Sequence, residues 1–263
     1  MYPYIYLGTL EVPVYGMIII ISFAAGLFIC SKLGKIYGIH PRYIICSGSF
    51  AAAGLLIGSK LLYALTKLPS FISYYDMYRH LPLFKKADFL FGGYVFYGGL
   101  IGAIIGVLIF CRAFHFDKGS FLNILTPLIP FAQSFGRVGC FFGGCCYGIE
   151  YDGPFAVRFP YNELSPYLHL YPRFPIQLVE AALCFILFVL IFVYTRKKAP
   201  VRGTSLGIYL ISYGIIRFIL EYFRGDTVRG IWFSLSTSQW ISLILVPVGI
   251  FIVTKSGNTK TKS

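Results

Sequence analysis

Apolar residues along this chain come in blocks of about 20, the length of helix that crosses the hydrocarbon core of a bilayer. Seven such blocks lie at 12–31, 44–65, 94–112, 121–138, 175–195, 204–223 and 239–255. The fourth block is interrupted by Pro127 and Pro130 and runs directly into a glycine-rich segment. The pattern predicts an all-α integral membrane protein with about seven transmembrane helices, which form a single domain over residues 1–263.

The composition agrees with a membrane protein. Of the 263 residues, 57% are hydrophobic and only 13% are charged, and the mean hydropathy is +0.73. A soluble domain carries roughly a quarter charged residues. Four of the seven cysteines lie singly in the apolar blocks, where cysteine behaves as a small hydrophobe, so a disulfide framework is not indicated.

Lysine and arginine follow the first, third, fifth and seventh blocks, which are alternate ends of a chain with seven crossings. These cations are Lys32, Lys35, Arg42, Arg112, Lys118, Arg196, Lys197, Lys198, Arg202, Lys255, Lys260 and Lys262. Because such residues are retained on the cytosolic side, we expect the N-terminus outside and the C-terminus in the cytosol. The extracytoplasmic segments are then at about 66–93 and 139–174.

The net charge of +13 does not indicate nucleic-acid binding, because the cytosolic cations lie in scattered loops without interleaved stacking aromatics. Six arginines near the predicted outward ends are not needed for topology and require another function. They are Arg137, Arg158, Arg173, Arg217, Arg224 and Arg229. A guanidinium keeps its proton and offers a planar fork of donors that suits phosphate or carboxylate.

The segment 136–148 places Arg137 and three thiols among five glycines at the end of an apolar block. A permanent cation on a glycine-rich backbone at membrane depth predicts a site for an anionic headgroup. For Cys140, Cys145 and Cys146, packing is favoured over zinc, because a metal site usually has Cys-x2-Cys spacing and a fourth ligand. A disulfide from Cys140 to either neighbour stays open.

The sixth block carries Tyr213, Arg217, Glu221 and Arg224 at spacings of four, four and three, which place them on one helical stripe. Arg217 and Glu221 are predicted to form an i,i+4 ion pair. The structural alternative is a salt-bridge ladder that fixes the orientation of the helix. With Arg137 added, the arginines outnumber their carboxylates, and this surplus predicts a bound anion.

Residues of interest also lie in three other blocks. Gln177 and Glu180 share one face of the fifth helix and are directed to the bundle interior. Gly98 and Gly99 belong to a stripe of small residues that allows close helix packing, and Tyr97 beside them is predicted to face a cavity. Lys60, at the outer end of the second block, is either a lysine that extends to the interface or a ligand.

These features together predict an outward-opening cavity in the membrane, lined by tyrosine and arginine, that binds an anionic lipid. An enzyme that transfers part of a phospholipid fits this prediction, and so does a transporter of lipid or anions. Transporters commonly contain internal repeats, and no repeat is apparent along this chain.

Over nearly its full length the chain resembles the bacterial prolipoprotein diacylglyceryl transferases. The matching blocks, in order, are Val14-Tyr15-Gly16, Phe96-Tyr97-Gly98-Gly99-Leu100-Ile101-Gly102, Gly136-Arg137-Val138-Gly139, Pro175-x-Gln177-Leu178-x-Glu180 and Tyr213-x3-Arg217-x3-Glu221-x2-Arg224. The resemblance implies transfer of the diacylglyceryl group of phosphatidylglycerol to the lipobox cysteine of a preprolipoprotein, with release of glycerol phosphate. The reaction would occur at the outer face of the bacterial plasma (inner) membrane, among membrane lipids, with no nucleic-acid partner, metal or cofactor.

The resemblance also implies roles for individual residues. Arg137 and Arg217 would hold the phosphate, Glu221 would orient one arginine, and Arg224 would complete the polar wall. The catalytic residues would be Arg137, Arg217, Glu221 and Tyr97, and the substrate-binding residues Arg137, Tyr15, Tyr213, Arg224, Gly98, Gly99, Gln177, Glu180 and Gly148.

The chain departs from the family pattern at four positions. Tyr97 stands where the family has a histidine, and Phe174 also replaces a histidine. Cys140 and Cys145 stand where better-studied members have asparagine and glutamate. The pattern is similar to a cysteine-rich branch of the family. Two alternatives follow: a paralogue that uses another thiol or small acceptor, with Cys145 or Cys146 acting covalently, or a non-catalytic phospholipid binder or transporter.

Overall fold

A computed structural model describes residues 4–8, 10–74, 79–161, 168–198, 202–225 and 231–260. Helices dominate these residues. They are α1 (Val14–Ile36), α2 (Pro41–Ser73), α3 (Leu83–Phe91), α4 (Phe96–Ala113), α5 (Lys118–Leu125), α6 (Leu128–Gly143), α7 (Ile176–Lys198), α8 (Thr204–Leu220) and α9 (Thr237–Lys260). A 3-10 turn, Glu221–Phe223, follows α8 directly.

Four short strands form two antiparallel hairpins outside the helices. β1 (Tyr4–Leu7) pairs with β2 (Leu10–Pro13), and β2 leads straight into α1. β3 (Ile231–Trp232) pairs with β4 (Leu235–Ser236), and β4 leads straight into α9. Both hairpins therefore stand immediately before a long apolar helix.

The apolar blocks of the sequence lie on helices, as predicted. Within the described part of the chain, α1, α2, α7, α8 and α9 are the five helices long and apolar enough to cross a membrane, and α4 includes a shorter apolar helix. The prediction of a helical membrane protein is confirmed at this level. The count of seven crossings and the orientation of the termini stay predictions.

The fourth block is two helices rather than one. Helix α5 ends at Leu125, and α6 begins at Leu128. Pro127 lies between them, and a proline has no N–H to continue the hydrogen bonding of a helix and clashes with the preceding turn. Pro130 lies in the first turn of α6, where proline is tolerated because the N–H groups have no partner within the helix.

Helical structure also extends into both predicted outward segments. Helix α2 continues to Ser73 with Pro69 inside it, α3 lies within 66–93, and α6 continues to Gly143. Hydropathy marks where an apolar stretch ends, whereas a helix continues until a capping or breaking residue ends it. The helices α2 and α6 therefore continue beyond the ends of the predicted apolar blocks.

The chain forms two compact units. One consists of Met1–Tyr37 and Gly119–Ser263, and the other of Gly38–Lys118. In the larger unit, α6 packs against both α1 and α7, and α8 packs against α7 and α9. This arrangement brings α6, α7 and α8, which carry the polar residues predicted above, into one helix bundle.

In the smaller unit, α2 and α4 pack through glycines. A Cβ atom on Gly58 would overlap the carbonyl of Gly98, and one on Gly102 would overlap the carbonyl of Gly54. The helix-packing role expected for this stripe is confirmed, since only glycine allows the two backbones to approach this closely. Lys60 joins the pair to α3 through a 2.6 Å hydrogen bond from its Nζ to the carbonyl of Phe91.

Candidate active site

Arg137 lies on α6 and is paired with a carboxylate on α7. Its Nη2 atom is 3.0 Å from Oε1 of Glu180, and the two side chains are 19% and 3% exposed. Gln177 and Glu180 share one face of α7, and this face contacts Arg137 on α6 and the carbonyl of Cys145 just after α6. The Glu180 carboxylate is thus buried, whereas the Arg137 guanidinium keeps an accessible part.

Arg217, on α8, binds two carboxylates and one hydroxyl. Its Nη2 atom lies 2.7 Å from Oε2 of Glu221, in the i,i+4 pair predicted from the sequence, and its Nη1 atom lies 3.6 Å from Oε2 of Glu180. Its Nη2 also donates to Oγ of Ser238, near the start of α9, at 3.0 Å. Ser238 was not identified from the sequence, because a single serine in an apolar helix carries no distinctive pattern.

Glu180 therefore joins two arginines from different helices. One oxygen of its carboxylate faces Arg137 and the other faces Arg217. Removing one member of a buried ion-pair group leaves an uncompensated charge, which costs about 3–5 kcal/mol. We call Arg137, Glu180, Arg217 and Glu221 the ion-pair network.

Tyr213 lies one turn before Arg217 and contacts the same network. Its hydroxyl donates to Oε1 of Glu180 over 3.5 Å. Its ring stacks on that of Tyr209, with centroids 5.7 Å apart, and the Tyr209 hydroxyl donates to Oε1 of Gln133 at 2.9 Å. The stacked tyrosines connect the ion pairs to α6 and limit the orientations available to Tyr213.

Tyr15 lies at the start of α1 and is 47% exposed. Its ring covers Gly139, where an added Cβ atom would lie only 2.9 Å from the ring. The phenol is within electrostatic range of Arg137 and of the three clustered thiols. The predicted group of Tyr15, Arg137 and Tyr213 therefore lies around one end of α6 and α7.

Gly148 and Arg224 lie where three chain segments meet. The two residues form an antiparallel bridge, and a Cβ atom on Gly148 would overlap the carbonyl of Phe174. The Ile149 amide donates to the carbonyl of Phe223 at 3.0 Å. Gly148 is thus required for close backbone packing that holds Arg224 beside the end of α6, and a direct substrate contact stays a prediction.

The end of α6 brings three thiols together. Gly144 has a φ of 67°, its amide donates to the carbonyl of Phe141, and the Cys145 amide donates to the carbonyl of Cys140. This is the Schellman pattern of helix ends. Cys146 also has a positive φ, of 55°, and the chain turns back so that the three sulfurs lie within 4.8 Å of one another.

The surroundings of Cys146 favour its thiolate. Hydrogen bonds from the thiols of Cys140 and Cys145 lower the pKa of Cys146, and the nearby guanidinium groups of Arg224 and Arg137 lower it further. Gln177 holds the same loop from α7, since its Nε2 donates to the carbonyl of Cys145 at 2.9 Å. The cysteine cluster is therefore next to the ion-pair network.

The remaining predicted residues lie elsewhere or outside the described structure. Gly98 and Gly99 are in the smaller unit and pack against α2. The side chain of Tyr97 and the whole of Arg229 lie outside the described residues. Arg173 pairs with Glu150 at 3.2 Å, which ties the loop before α7 together, and Arg158 is exposed.

The fold and this site define a multi-pass helical membrane protein whose buried ion-pair network joins α6, α7 and α8. The family model of the prolipoprotein diacylglyceryl transferases matches residues 3–255. The chain belongs to this family of membrane transferases.

Several relatives agree with the family match along most of the chain. The phosphatidylglycerol–prolipoprotein diacylglyceryl transferase of Clostridium tetani is 33% identical over 239 residues, which cover 90% of each chain. That of Prochlorococcus marinus is 31% identical over 278 residues, or 98% of this chain and 94% of the relative. That of Proteus mirabilis is 30% identical over 269 residues, or 94% and 88%.

Proposed function

We propose that this protein transfers the diacylglyceryl group of phosphatidylglycerol to the lipobox cysteine thiol of a preprolipoprotein and releases glycerol phosphate. The observation that carries the proposal is the pair of arginines from two helices that share the buried carboxylate of Glu180. The family membership and the names of the relatives support the same reaction. The product is a thioether, the first modification of a lipoprotein.

In this reaction a sulfur–carbon bond forms and the carbon–oxygen bond to phosphate breaks. The leaving phosphate oxygen takes the electron pair of that bond, and the thiol proton passes to the released glycerol phosphate or to water. Negative charge therefore gathers on the phosphate in the transition state. Donors already placed around such a charge contribute about 100- to 1000-fold each to the rate.

Arg137 is the arginine best placed to receive the phosphate. It is the more exposed of the two network arginines, at 19% against 9% for Arg217, and its ion pair with Glu180 uses Nη2. A guanidinium has five N–H donors in a planar fork, so the edge of Arg137 directed away from Glu180 can bind phosphate bidentately. Glu180 then serves to orient Arg137 and does not contact the lipid.

Arg217 has more partners than Arg137 and adds a second positive charge near the proposed phosphate site. Glu221, Glu180 and Ser238 all contact it, so its position is determined before any lipid binds. Preorganisation of this kind stabilises developing charge without rearrangement during the reaction. Tyr213 and the half-exposed Tyr15 are proposed to donate hydrogen bonds to the headgroup, and Arg224 to complete the polar wall.

The proposed reaction also implies an orientation of the chain in the membrane. Seven crossings, with the N-terminus outside and the C-terminus in the cytosol, would place the end of α6 and the loops after it at the outer face. The positive-inside distribution of lysine and arginine supports this orientation. Tyr97, Gly98 and Gly99 are kept as proposed contacts of the substrate.

The proposal is tested with purified protein, phosphatidylglycerol vesicles and a lipobox peptide. We expect release of glycerol phosphate together with a gain of one diacylglyceryl mass on the peptide thiol. A matched peptide with serine in place of the cysteine should gain nothing. Lipid binding without product from any thiol peptide would instead identify a phospholipid-binding protein.

The protein offers a matched pair of variants for the same assay. Arg137→Ala removes the proposed phosphate ligand, and Arg158→Ala removes an exposed arginine from the same predicted face. We expect loss of transfer in the first and wild-type transfer in the second. Equal rates in the two variants would contradict the role of Arg137.

A further inference from the structure

Cys140, Cys145 and Cys146 have an arrangement that packing does not explain. Their sulfurs all lie within 4.8 Å of one another. Only Cys140 is buried, whereas Cys146 is half-buried and Cys145 is exposed. A cysteine that serves as a small hydrophobe is expected inside the protein, so packing does not account for the exposed Cys145 beside two other thiols.

We propose that these three cysteines bind one Zn²⁺ ion as thiolates and that the fourth position of the ion takes the thiol of the acceptor cysteine. The second part rests on the proposed function. Zinc–sulfur bonds of about 2.3 Å place the sulfurs of a tetrahedral site about 3.8 Å apart. The cluster needs only a small contraction to reach this geometry.

The type and number of ligands indicate the ion. Three thiolates form a soft donor set, which selects zinc over the hard cations magnesium and calcium. Structural zinc sites have four protein ligands, whereas catalytic sites have three and keep one position for water or substrate. Three converging thiols, one of them exposed, correspond to the open kind of site.

The surrounding charges suit a three-thiolate zinc centre. Three thiolates and one Zn²⁺ ion carry one net negative charge, and Arg224 and Arg137 both act electrostatically on Cys146. Arg137 and Cys140 are three residues apart on α6, which places them on the same face of the helix. The proposed metal position is therefore adjacent to the proposed phosphate ligand.

Gln177 supports the loop that carries the proposed ligands. Its Nε2 donates to the carbonyl of Cys145, and the residue is 1% exposed. Its Oε1 atom is buried and has no hydrogen-bond partner among the described residues. A buried acceptor without a donor is unfavourable, and a water at the fourth position of the ion, before the acceptor thiol binds, is a donor of the type that is missing.

The proposal explains how the acceptor thiol is activated in this chain, in which Tyr97 stands where the family has a histidine. A tyrosine phenol, with an ordinary pKa of about 10, is a poor base at neutral pH. A thiol bound to zinc loses its proton, here to water. The bound thiolate then attacks the glyceryl carbon, the carbon–oxygen bond breaks towards the phosphate at Arg137, and the thioether product, a weaker ligand, leaves the ion.

The experiment measures metal binding by the full chain, reduced and freed of metal, in detergent. Zn²⁺ is added, unbound ion is removed and bound zinc is counted, and Cd²⁺ is titrated in parallel to follow the ultraviolet absorption of cadmium–thiolate bonds. We expect one ion per wild-type chain. Cys145→Ser and Cys146→Ser should each weaken binding by more than about 100-fold, beyond the effect of losing an outer-shell partner.

Cys46→Ser is the matched control, because Cys46 is exposed and lies alone in α2. It should bind zinc as the wild type does. Thermal unfolding of each variant separates loss of the site from loss of the fold. Equal binding by the wild type, the two cluster variants and this control would overturn the proposed site, and so would a wild type that binds no zinc.

Transfer measured on the same samples separates this proposal from the proposed function. Metal-free wild type should transfer at least about tenfold more slowly and recover with Zn²⁺. Full transfer without metal overturns the role of zinc and leaves the proposed function standing. If the chain binds one ion that requires Cys145 and Cys146 but transfers nothing to any thiol peptide, the result supports the metal site and contradicts the proposed function.

Discussion

Two regions of this protein place glycine and cationic side chains within apolar helices, with different results. In the α2–α4 pair, glycines bring two backbones into contact, and the ammonium of Lys60 is bound by the nearby carbonyl of Phe91. Around α6, α7 and α8, the guanidinium groups of Arg137 and Arg217 both contact the carboxylate of Glu180 on α7, and Arg217 also pairs with Glu221 at the end of its own helix.

The difference lies in what each cation needs. A lysine ammonium near a helix end is satisfied by a backbone carbonyl and contributes to packing. Buried guanidinium groups require carboxylate partners, and because charges in a membrane span are costly, unneeded ones are rare there. The first region therefore explains how helices approach one another, and the second supports the proposal that an anionic headgroup binds there.

The largest expected effect comes from replacing the arginines of the ion-pair network. Arg137→Lys and Arg217→Lys keep the charge but lose the planar fork, so we expect transfer to fall by about 100- to 1000-fold. Initial rates of glycerol phosphate release provide the measurement, with Arg158→Lys as the control. A loss below about threefold in both variants would show that positive charge alone is sufficient.

Glu180→Gln is expected to have the next largest effect. It removes the carboxylate that contacts both arginines, and breaking a buried ion pair costs about 3–5 kcal/mol. Glu150→Gln is the matched control, because Glu150 is 58% exposed in its pair with Arg173 and such pairs contribute about 0–1 kcal/mol. Thermal unfolding in detergent compares the two, and equal destabilisation would contradict the importance of burial.

In the glycine-packed pair, Gly58→Ala should destabilise the protein without acting on the chemistry. Its Cβ atom would overlap the Gly98 carbonyl, and overpacking of this kind costs about 1–3 kcal/mol. Gly143→Ala is the control, since nothing lies within 4 Å of its added Cβ atom. Unfolding temperatures measure the difference, which should vanish if α2 and α4 separate easily.

The smallest expected effect is that of Lys60→Met. The variant loses one charged hydrogen bond to the Phe91 carbonyl and the contact of Nζ with the Tyr94 ring at 4.4 Å, which together contribute about 1–2 kcal/mol. Stability should fall slightly while transfer stays within twofold of the wild type. A large loss of transfer at unchanged stability would restore the ligand role for Lys60.

Much of the helical structure follows from local patterns along the chain. Apolar blocks of membrane length predict helices because an unpaired backbone is too costly in lipid, and Pro127 explains why the fourth block is divided. The boundaries were less accurate. Helix α2 continues beyond the apolar residues to Ser73, since loss of hydrophobicity does not by itself end a helix.

Part of the candidate site was also predictable from spacing. Residues four apart share a helical face, so the pair of Arg217 and Glu221 followed from the sequence. The position of Glu180 between Arg137 and Arg217 did not, because it depends on the packing of three helices that are far apart along the chain. Ser238, which completes the coordination of Arg217, had no sequence pattern at all.

The sequence by itself determined that this is a helical membrane protein and which arginines share helical faces with other polar residues, because hydropathy and helical spacing are local properties. Only the tertiary structure decided that Glu180 contacts both Arg137 and Arg217 and that the three sulfurs of Cys140, Cys145 and Cys146 meet. Both outcomes depend on contacts between distant segments and on the left-handed turn at Gly144 and Cys146. Such contacts are selected by packing, since many pairings of the same helices are compatible with the same local patterns.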